Sequence, residues 1–257
     1  MTSAVNPSWQ RRRRGSLTRT EVVEAALALA DEQGIEALSM PALARRLKCG
    51  VMSIYGHVDS KEDLLEAVAE RAFGELPLPQ PLPDDPAGIL KAWGGALREV
   101  LVEHSFLPVV LLTQPVVGPG IFRGVEYLLT ALDRAEYPAK EGVHAVYAVL
   151  TYTVGFLAWE IPRTRKQSQE AYAGKWRQVF ALLSPGDFPF AGALLAELGT
   201  VAGEDQFQLG LDALVSGLIS RGGRSPGTDP GPGQAVSCTN DTAASAVRSR
   251  NVNDSCK

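Results

Sequence analysis

Basic side chains are the residues of this chain with the clearest chemical potential. Arg11 to Arg14 form an unbroken run, and Arg45, Arg46 and Lys48 form a second cluster further along. Such groups bind phosphate oxygens and suit contacts with a nucleic-acid backbone. The formal net charge is −4, so only a local surface could serve this purpose. The arginine run is either a solvated stretch of charge or an arm that enters a DNA minor groove.

Patterns that carry catalysis or bind metal ions are missing from the sequence. We find no Gly-rich phosphate loop, no Ser/His/Asp arrangement and no metal-binding motif. Cys49, Cys238 and Cys256 form neither a CxxC pair nor a Cys/His cluster, which favours a reducing cytoplasm. We see no apolar run long enough to span a bilayer and no signal peptide. These features predict a cytoplasmic protein that is not an enzyme, with no metal, no cofactor and no membrane partner.

Two long and two short helices are predicted across residues 18–73. Thr18 and Glu21 form a capping box that opens the first helix, and apolar residues then recur at helical spacing. Ser39 caps the first short helix, and the second is expected at 51–57. The order long, short, tight turn, short, long is typical of a helix-turn-helix, which places one short helix in the major groove of DNA.

The rest of the chain is also predicted to be helical, because Leu, Ala and Val dominate and strand-like alternation is scarce. Prolines in LPLPQPLPDDP predict an extended linker, and the Gly-, Pro- and Ser-rich composition after residue 221 predicts a disordered tail. Further helices are expected at 87–104, 107–113, 119–134, 139–161, 170–183 and 204–220.

Residues 18–73 resemble the DNA-binding domain of the tetracycline-repressor (TetR) family. The phrase LARRLKCGVMSIYGHVDSKEDLL carries the resemblance. Segments 74–77, 112–115 and 207–214 resemble the ligand domain of the tetracycline repressor's own branch. The resemblance implies an all-α fold, with an N-terminal helix-turn-helix three-helix domain and a C-terminal helical ligand-binding and dimerisation domain. The expected organisation is a basic arm at 1–17, the DNA-binding domain at 18–75, the linker at 76–86, the ligand domain at 87–221 and the tail at 222–257.

The resemblance also implies which residues contact double-stranded DNA. Val51 and Met52 can offer only apolar contact, for example to a thymine methyl group, whereas Ser53 and His57 can form hydrogen bonds. Many relatives have glycine where this chain has Lys48, so we expect Gly50 to take the positive φ that the turn needs. The implied contact residues are Arg11, Arg12, Arg13, Arg14, Ser39, Val51, Met52, Ser53, Tyr55, Gly56, His57 and Lys61, with Ser39 and Lys61 on phosphates.

A ligand pocket and a homodimer interface are implied for the second domain. Aligned with the tetracycline repressor, the chain lacks the histidines that hold a magnesium–drug chelate. An apolar, aromatic pocket suits a small, largely hydrophobic ligand such as an aromatic polyketide or another antibiotic. His104 and His144 show no partner pattern, which favours a structural role. The expected lining is Trp93, Leu97, Phe106, Val110, Thr113, Tyr147, Thr151, Tyr152, Phe156 and Trp159.

The function expected from these features is a ligand-responsive transcriptional repressor. It would bind a palindromic operator as a homodimer, through pairing of helices 139–161 and 204–220 with their copies. The ligand would release it from DNA and so switch on an export or biosynthesis gene. The alternative is a helical enzyme, or a protein-interaction adaptor without specific DNA binding.

Overall fold

The computed structural model describes residues 17–164, 169–183, 186–198 and 201–222. Over these ranges the chain forms twelve α-helices and a 3-10 turn, with no strand, as the predicted all-α fold requires. The helices are α1 (Arg19–Gln33), α2 (Met40–Leu47), α3 (Val51–Tyr55), α4 (Lys61–Phe73), α5 (Pro86–Glu103), α6 (Leu107–Thr113), α7 (Pro119–Arg134), α8 (Ala139–Thr164), α9 (Gln169–Phe180), α10 (Pro189–Ala193), α11 (Leu195–Leu198) and α12 (Glu204–Gly222).

Side-chain caps set the beginnings of the N-terminal helices. The Thr18 hydroxyl accepts a hydrogen bond from the Glu21 amide at 3.2 Å, and the Glu21 carboxylate accepts one from the Thr18 amide at 2.9 Å. The Ser60 hydroxyl caps α4 in the same way, but the carboxylate of Asp63 accepts from the amide of Asp59 instead of closing a second capping box. Each cap satisfies an amide that the helix itself leaves unpaired.

Helices α1 to α4 enclose the first hydrophobic core. Helix α1 packs against α2 and α4, and α3 packs against α2. Val22, Leu43, Ile54 and Val68 supply one buried side chain from each of the four helices. The short helix α3 is therefore held in place by tertiary contacts, since five residues are too few to be helical on their own.

The second core lies mainly between α5, α7, α8 and α12. Its helices agree with the sequence prediction except near the C-terminal end. Helix α8 continues to Thr164 with Pro162 in its last turn, and α9 ends at Phe180. Helices α10 and α11 were not predicted. They have five and four residues, and such short segments carry little periodic signal.

Helix α8 corrects one expectation from the sequence. It is long and apolar enough by length and composition to cross a bilayer, with a mean hydropathy of 1.3 over its most apolar stretch. It also packs against α5, α6, α7 and α12, and it carries Thr153 and Glu160 as buried polar residues. These contacts make α8 the central helix of the second core.

The turn between α2 and α3 differs from the expectation. Lys48 itself adopts the left-handed conformation, with φ 54° and ψ 43°, whereas Gly50 is extended with φ −77° and ψ 149°. The Lys48 amide bonds back to α2, and the Cys49 amide donates to the Ala44 carbonyl at 3.0 Å. This αL closure of α2 is common at helix ends, but glycine is its usual residue.

Lys48→Gly should therefore stabilise the protein by about 0.5–1 kcal/mol. A left-handed backbone conformation costs a non-glycine residue roughly 1–2 kcal/mol. The greater freedom of glycine in the unfolded chain offsets part of this gain. Denaturant unfolding measures the change. The matched control is Gly34→Ala, at φ 85°, which should destabilise. Destabilisation by Lys48→Gly, or an unchanged stability in Gly34→Ala, would show that φ is not the controlling factor.

Candidate DNA-contact surface and ligand cavity

Helix α3 presents its predicted contact residues on an open face. The Met52 side chain is 79 % exposed and the Tyr55 side chain 44 %, while Ile54 is fully buried and anchors the helix from behind. The helix ends at Tyr55 instead of His57, whose amide donates to the Ile54 carbonyl in the following turn. Met52, Ser53, Tyr55 and Gly56 are exposed, and Val51 and His57 are half-buried.

Two other helix N-termini carry residues that were predicted to contact phosphates. Ser39 begins α2, where its hydroxyl accepts from the Ala42 amide at 3.3 Å, and Lys61 is exposed at the first position of α4. Positive helix ends and a nearby ammonium group suit phosphate binding. The predicted residues Arg11, Arg12, Arg13 and Arg14 lie outside the described residues.

One of the basic residues beside the turn is engaged within the protein. Arg46 forms a two-pronged ion pair with Glu32 of α1, with nitrogen–oxygen distances of 2.7 and 2.6 Å. The hydrogen bond from Arg46 lowers the pKa of Glu32 below its ordinary value. Arg45 and Lys48 are exposed. Much of the positive charge of Arg46 is therefore neutralised within the protein, and it contributes less to the surface than its sequence position suggests.

A cavity of about 430 Å³ lies between α4, α5, α7, α8 and the segment that joins α6 to α7. Most of its wall is aliphatic or aromatic, with a few polar groups. Its lining consists of Phe73, Leu76, Trp93, Leu111, Leu112, Gln114, Pro115, Val116, Val117, Gly120, Ile121, Gly124, Val125, Val146, Tyr147, Leu150, Thr151 and Val154. The volume is in the range of sites for drug-sized molecules.

Three of the ten predicted ligand residues line this cavity, namely Trp93, Tyr147 and Thr151. The indole NH of Trp93 donates to the Val146 carbonyl at 3.3 Å, which fixes the ring in the wall. The hydroxyl of Thr151 donates to carbonyls of its own helix, at 2.9 Å to Tyr147. The oxygen of that hydroxyl can still accept a hydrogen bond from a ligand.

The other seven predicted residues do not line this cavity, and packing explains where they are. Leu97, Phe106 and Val110 are buried within the two cores. The Thr113 hydroxyl bonds back to the Val109 carbonyl at 2.8 Å. Tyr152, Phe156 and Trp159 belong to an aromatic cluster with Phe207 on the α12 side of α8. The predicted residues thus lie on or beside helices that border the cavity, but those of α6 and of the second half of α8 face away from it.

Sequence reasoning missed the wall between Gln114 and Ile121, which supplies six of the lining residues. A signal was available, because Gln114-Pro115 ends one of the segments that resemble the ligand domain. Periodicity could not find this wall, since part of it is loop. It is also placed by contacts from α4, which lies far away in sequence.

Comparison with known proteins covers both parts of the chain. Residues 22–68 match the family of bacterial regulatory proteins called the tetR family, and residues 78–221 match the tetracyclin repressor-like C-terminal domain. The chain belongs to the tetracycline-repressor family. The predicted resemblance is thereby confirmed, as is the helix-turn-helix assignment, and TetR-family relatives are named as regulators and repressors rather than enzymes.

Individual TetR-family relatives extend the match over most of the chain. An HTH-type transcriptional regulator of Saccharopolyspora erythraea is 29 % identical over 218 residues, covering 84 % of this chain and 91 % of the relative. The HTH-type transcriptional repressor DrrR1 of Streptomyces coeruleorubidus is 30 % identical over 212 residues, covering 79 % and 77 %. The structure of Streptomyces coelicolor ActR in complex with actinorhodin has a TM-score of 0.72 at 25 % identity, covering 82 % and 99 %.

His104 links the two parts of this TetR-family chain. It follows α5 and is buried, with Nδ1 at 3.0 Å from a carboxylate oxygen of Asp31 in α1 and Nε2 at 3.2 Å from one of Glu75 after α4. Only the imidazolium form donates from both ring nitrogens. Burial opposes the charge, but the hydrogen bonds outweigh it and the pKa of His104 is raised above 6.5. The expected structural role thus has partners that the sequence pattern did not show.

His104 and its acidic neighbours include three side chains of the kinds that bind metal ions. Donor atoms of Glu75, Glu103 and His104 lie within 4.8 Å of one another. A carboxylate sits on each ring nitrogen of His104, so the imidazole would have to give up a hydrogen bond and a proton to bind a metal ion. The arrangement is therefore better suited to an ion pair than to a metal site.

Stability should fall as pH rises through the raised pKa of His104. Its contribution is complete below the ordinary value of 6.5 and is lost as pH passes the folded value. The hydrogen bond from His104 lowers the pKa of Glu75, so that partner stays ionised over this range. Denaturant unfolding from about pH 6 to about pH 9 should show the loss in wild type and not in His104→Gln. His144→Gln, at an exposed histidine of α8, should keep the wild-type slope.

Proposed function

We propose that this chain is a cytoplasmic, ligand-responsive transcriptional repressor that binds a palindromic operator as a homodimer. A small, largely hydrophobic aromatic ligand would release it. The observation that carries the proposal is that α4 joins the two parts: it begins at Lys61, an expected phosphate contact, and Phe73 at its other end lines the cavity. A ligand that fits only one position of α4 shifts the equilibrium between DNA-bound and free protein.

Aromatic polyketides are the ligand class that the cavity fits best. Trp93 and Tyr147 offer ring faces, and Gln114 and Thr151 offer a few polar groups in an otherwise apolar wall. Such linings bind flat, hydrophobic molecules that carry several hydroxyl or carbonyl groups. The similar protein ActR has been solved in complex with actinorhodin, which supports a ligand of this class for the present chain.

The DNA contacts are assigned to the residues that the family resemblance indicated. Ser53 and His57 would form hydrogen bonds to base edges, and Val51 and Met52 would offer apolar contacts. Tyr55 and the helix starts at Ser39 and Lys61 would contact phosphates, and the arm Arg11–Arg14 would reach the minor groove or backbone. The exposure of Met52, Ser53 and Tyr55 on one short helix supports this assignment.

The homodimer would form through α8 and α12. Each helix has an exposed stripe at helical spacing, rich in small and apolar residues, and two residues of the α8 stripe also line the cavity. The stripes comprise Val143, Tyr147, Thr151 and Gly155 of α8, and Leu209, Ala213, Ser216, Gly217 and Ser220 of α12. Small side chains allow helices to approach closely, and a two-fold dimer would present two copies of α3 to two half-sites about one DNA turn apart.

Selection of bound fragments from the source genome tests the proposal most directly. The protein should recover palindromic fragments upstream of an export or biosynthesis gene, with an affinity that falls steeply as salt rises. Sequence-independent or undetectable binding would favour the protein-interaction adaptor. Turnover of a small molecule in the absence of DNA would favour the helical enzyme.

Ligand release should not require a divalent metal ion. The cavity lining contains no His, Cys, Asp or Glu side chain, so it lacks the usual donor groups for a metal–drug chelate. Actinorhodin should release the protein from its operator equally well with and without EDTA, as measured by gel shift. Quenching of Trp93 fluorescence should report the binding. A response that disappears with EDTA would contradict this cavity chemistry.

Filling the cavity should abolish the response and spare the operator. Gly124 lines the cavity, and a side chain added there meets no atom within 4 Å, so Gly124→Trp would occupy the ligand's space. Tyr127→Trp, at an exposed position of the same helix, is the matched control. A filled variant that still responds like wild type would place the ligand elsewhere.

A further inference from the structure

The cavity wall is tied to the DNA-binding part of the chain by two carboxylates of α4. Glu66 accepts a hydrogen bond from the amide of Val117 at 3.0 Å, and Glu70 accepts one from the amide of Gly120 at 2.7 Å. Val117 and Gly120 both line the cavity. Glu66 and Glu70 are one helical turn apart, so both carboxylates extend from the same face of α4.

The Glu70 carboxylate packs tightly against the backbone at the start of α7. A Cβ added at Gly118 would lie 2.6 Å from the Glu70 carboxyl carbon, and one at Gly120 would lie 3.1 Å from a Glu70 oxygen. Gly118 precedes α7 and offers no side chain to cap it. Glu70 therefore takes the place of a missing cap, and its negative charge faces the positive end of α7.

The opposite face of α4 belongs to the first core. Leu64, Leu65 and Val68 are buried there with residues of α1, α2 and α3. A displacement of α4 therefore carries with it the core that anchors α3. The segment from Val117 to Gly120 is the junction between a loop and the start of α7, and both of its end residues line the cavity.

We propose that Glu66 and Glu70 are positioning residues that transmit ligand occupancy to the DNA-binding helices, by holding the start of α7 to α4. This inference rests on the proposed function. Ligand in the cavity moves the start of α7, the two hydrogen bonds move α4 with it, and the spacing of the α3 helices changes. Neither residue is among the assigned DNA contacts or in the cavity lining, so its removal separates response from binding.

Two variants break this link. Glu66→Gln with Glu70→Gln weakens both hydrogen bonds by removing the charge. Gly118→Ala displaces the Glu70 carboxylate with a methyl group and leaves every charge in place. Glu126→Gln, at an exposed position of α7, controls for charge, and Gly95→Ala, where an added methyl meets nothing within 4 Å, controls for the glycine.

The quantity to measure is the ratio of operator dissociation constants with and without saturating actinorhodin. The double glutamine variant and Gly118→Ala should lower this ratio by about tenfold or more, with ligand affinity, measured by Trp93 quenching, changed by less than about threefold. Both controls should keep the wild-type ratio. If the wild type responds to actinorhodin and both variants keep the wild-type ratio, this inference is overturned while the proposed function stands. A wild type that binds no operator or does not respond would remove the proposed function, and this inference with it.

Discussion

Replacement of Arg98 by methionine should destabilise the protein by about 3–5 kcal/mol, because it strands a buried carboxylate. The guanidinium of Arg98 pairs with Glu160 at 2.6 and 3.1 Å and also with Glu204. The Arg98 and Glu160 side chains are 11 % and 9 % exposed. Burial opposes the charge, but these hydrogen bonds keep the pKa of Arg98 raised. Denaturant unfolding at neutral pH measures the loss.

Two further variants test this explanation. Adding Glu160→Leu to Arg98→Met should recover much of the stability, since a buried pair replaced by apolar side chains is often neutral. Lys91 of α5 and Asp212 of α12 also form an ion pair, at 2.9 Å, but both side chains are nearly half exposed. Lys91→Met should therefore have little effect. Similar losses at Arg98 and Lys91 would contradict the role of burial.

Alanine at four positions of the DNA-contact surface should abolish measurable operator binding. Ser53→Ala and His57→Ala should each cost about 1–3 kcal/mol on the operator and relax its sequence preference. Tyr55→Ala and Lys61→Ala should weaken binding to every sequence, and Lys61→Ala should also lower the salt slope by about one. Gel shifts against the selected operator and a shuffled one, at several salt concentrations, measure these effects.

Two controls distinguish the loss of DNA contacts from unfolding and from a general loss of positive charge. Circular dichroism should show an unchanged helical fold, because Ser53 and Tyr55 are exposed while Ile54 carries the packing of α3. Lys140→Ala, at an exposed position of α8, removes an equal charge outside the DNA-contact surface and should leave the salt slope unchanged. Wild-type affinity in the fourfold variant would refute the assignment of these contacts.

Local patterns identified the helices well because caps and periodicity act over a few residues. Thr18 and Ser39 begin helices where the sequence places them. The turn at Lys48 was harder. Residue preference favours Gly50 for the positive φ and that prediction was wrong, because the folded turn places it on Lys48.

The sequence by itself determined the fold class and the helix-turn-helix. Only the tertiary structure decided which aromatic residues line a cavity and which pack in a core, because α8 is apolar on several faces and its neighbours select among them. Arg98 and its partners Glu160 and Glu204 lie 62 and 106 residues apart in the chain. No local spacing reports such a pair, because packing of α5, α8 and α12 brings the charges together.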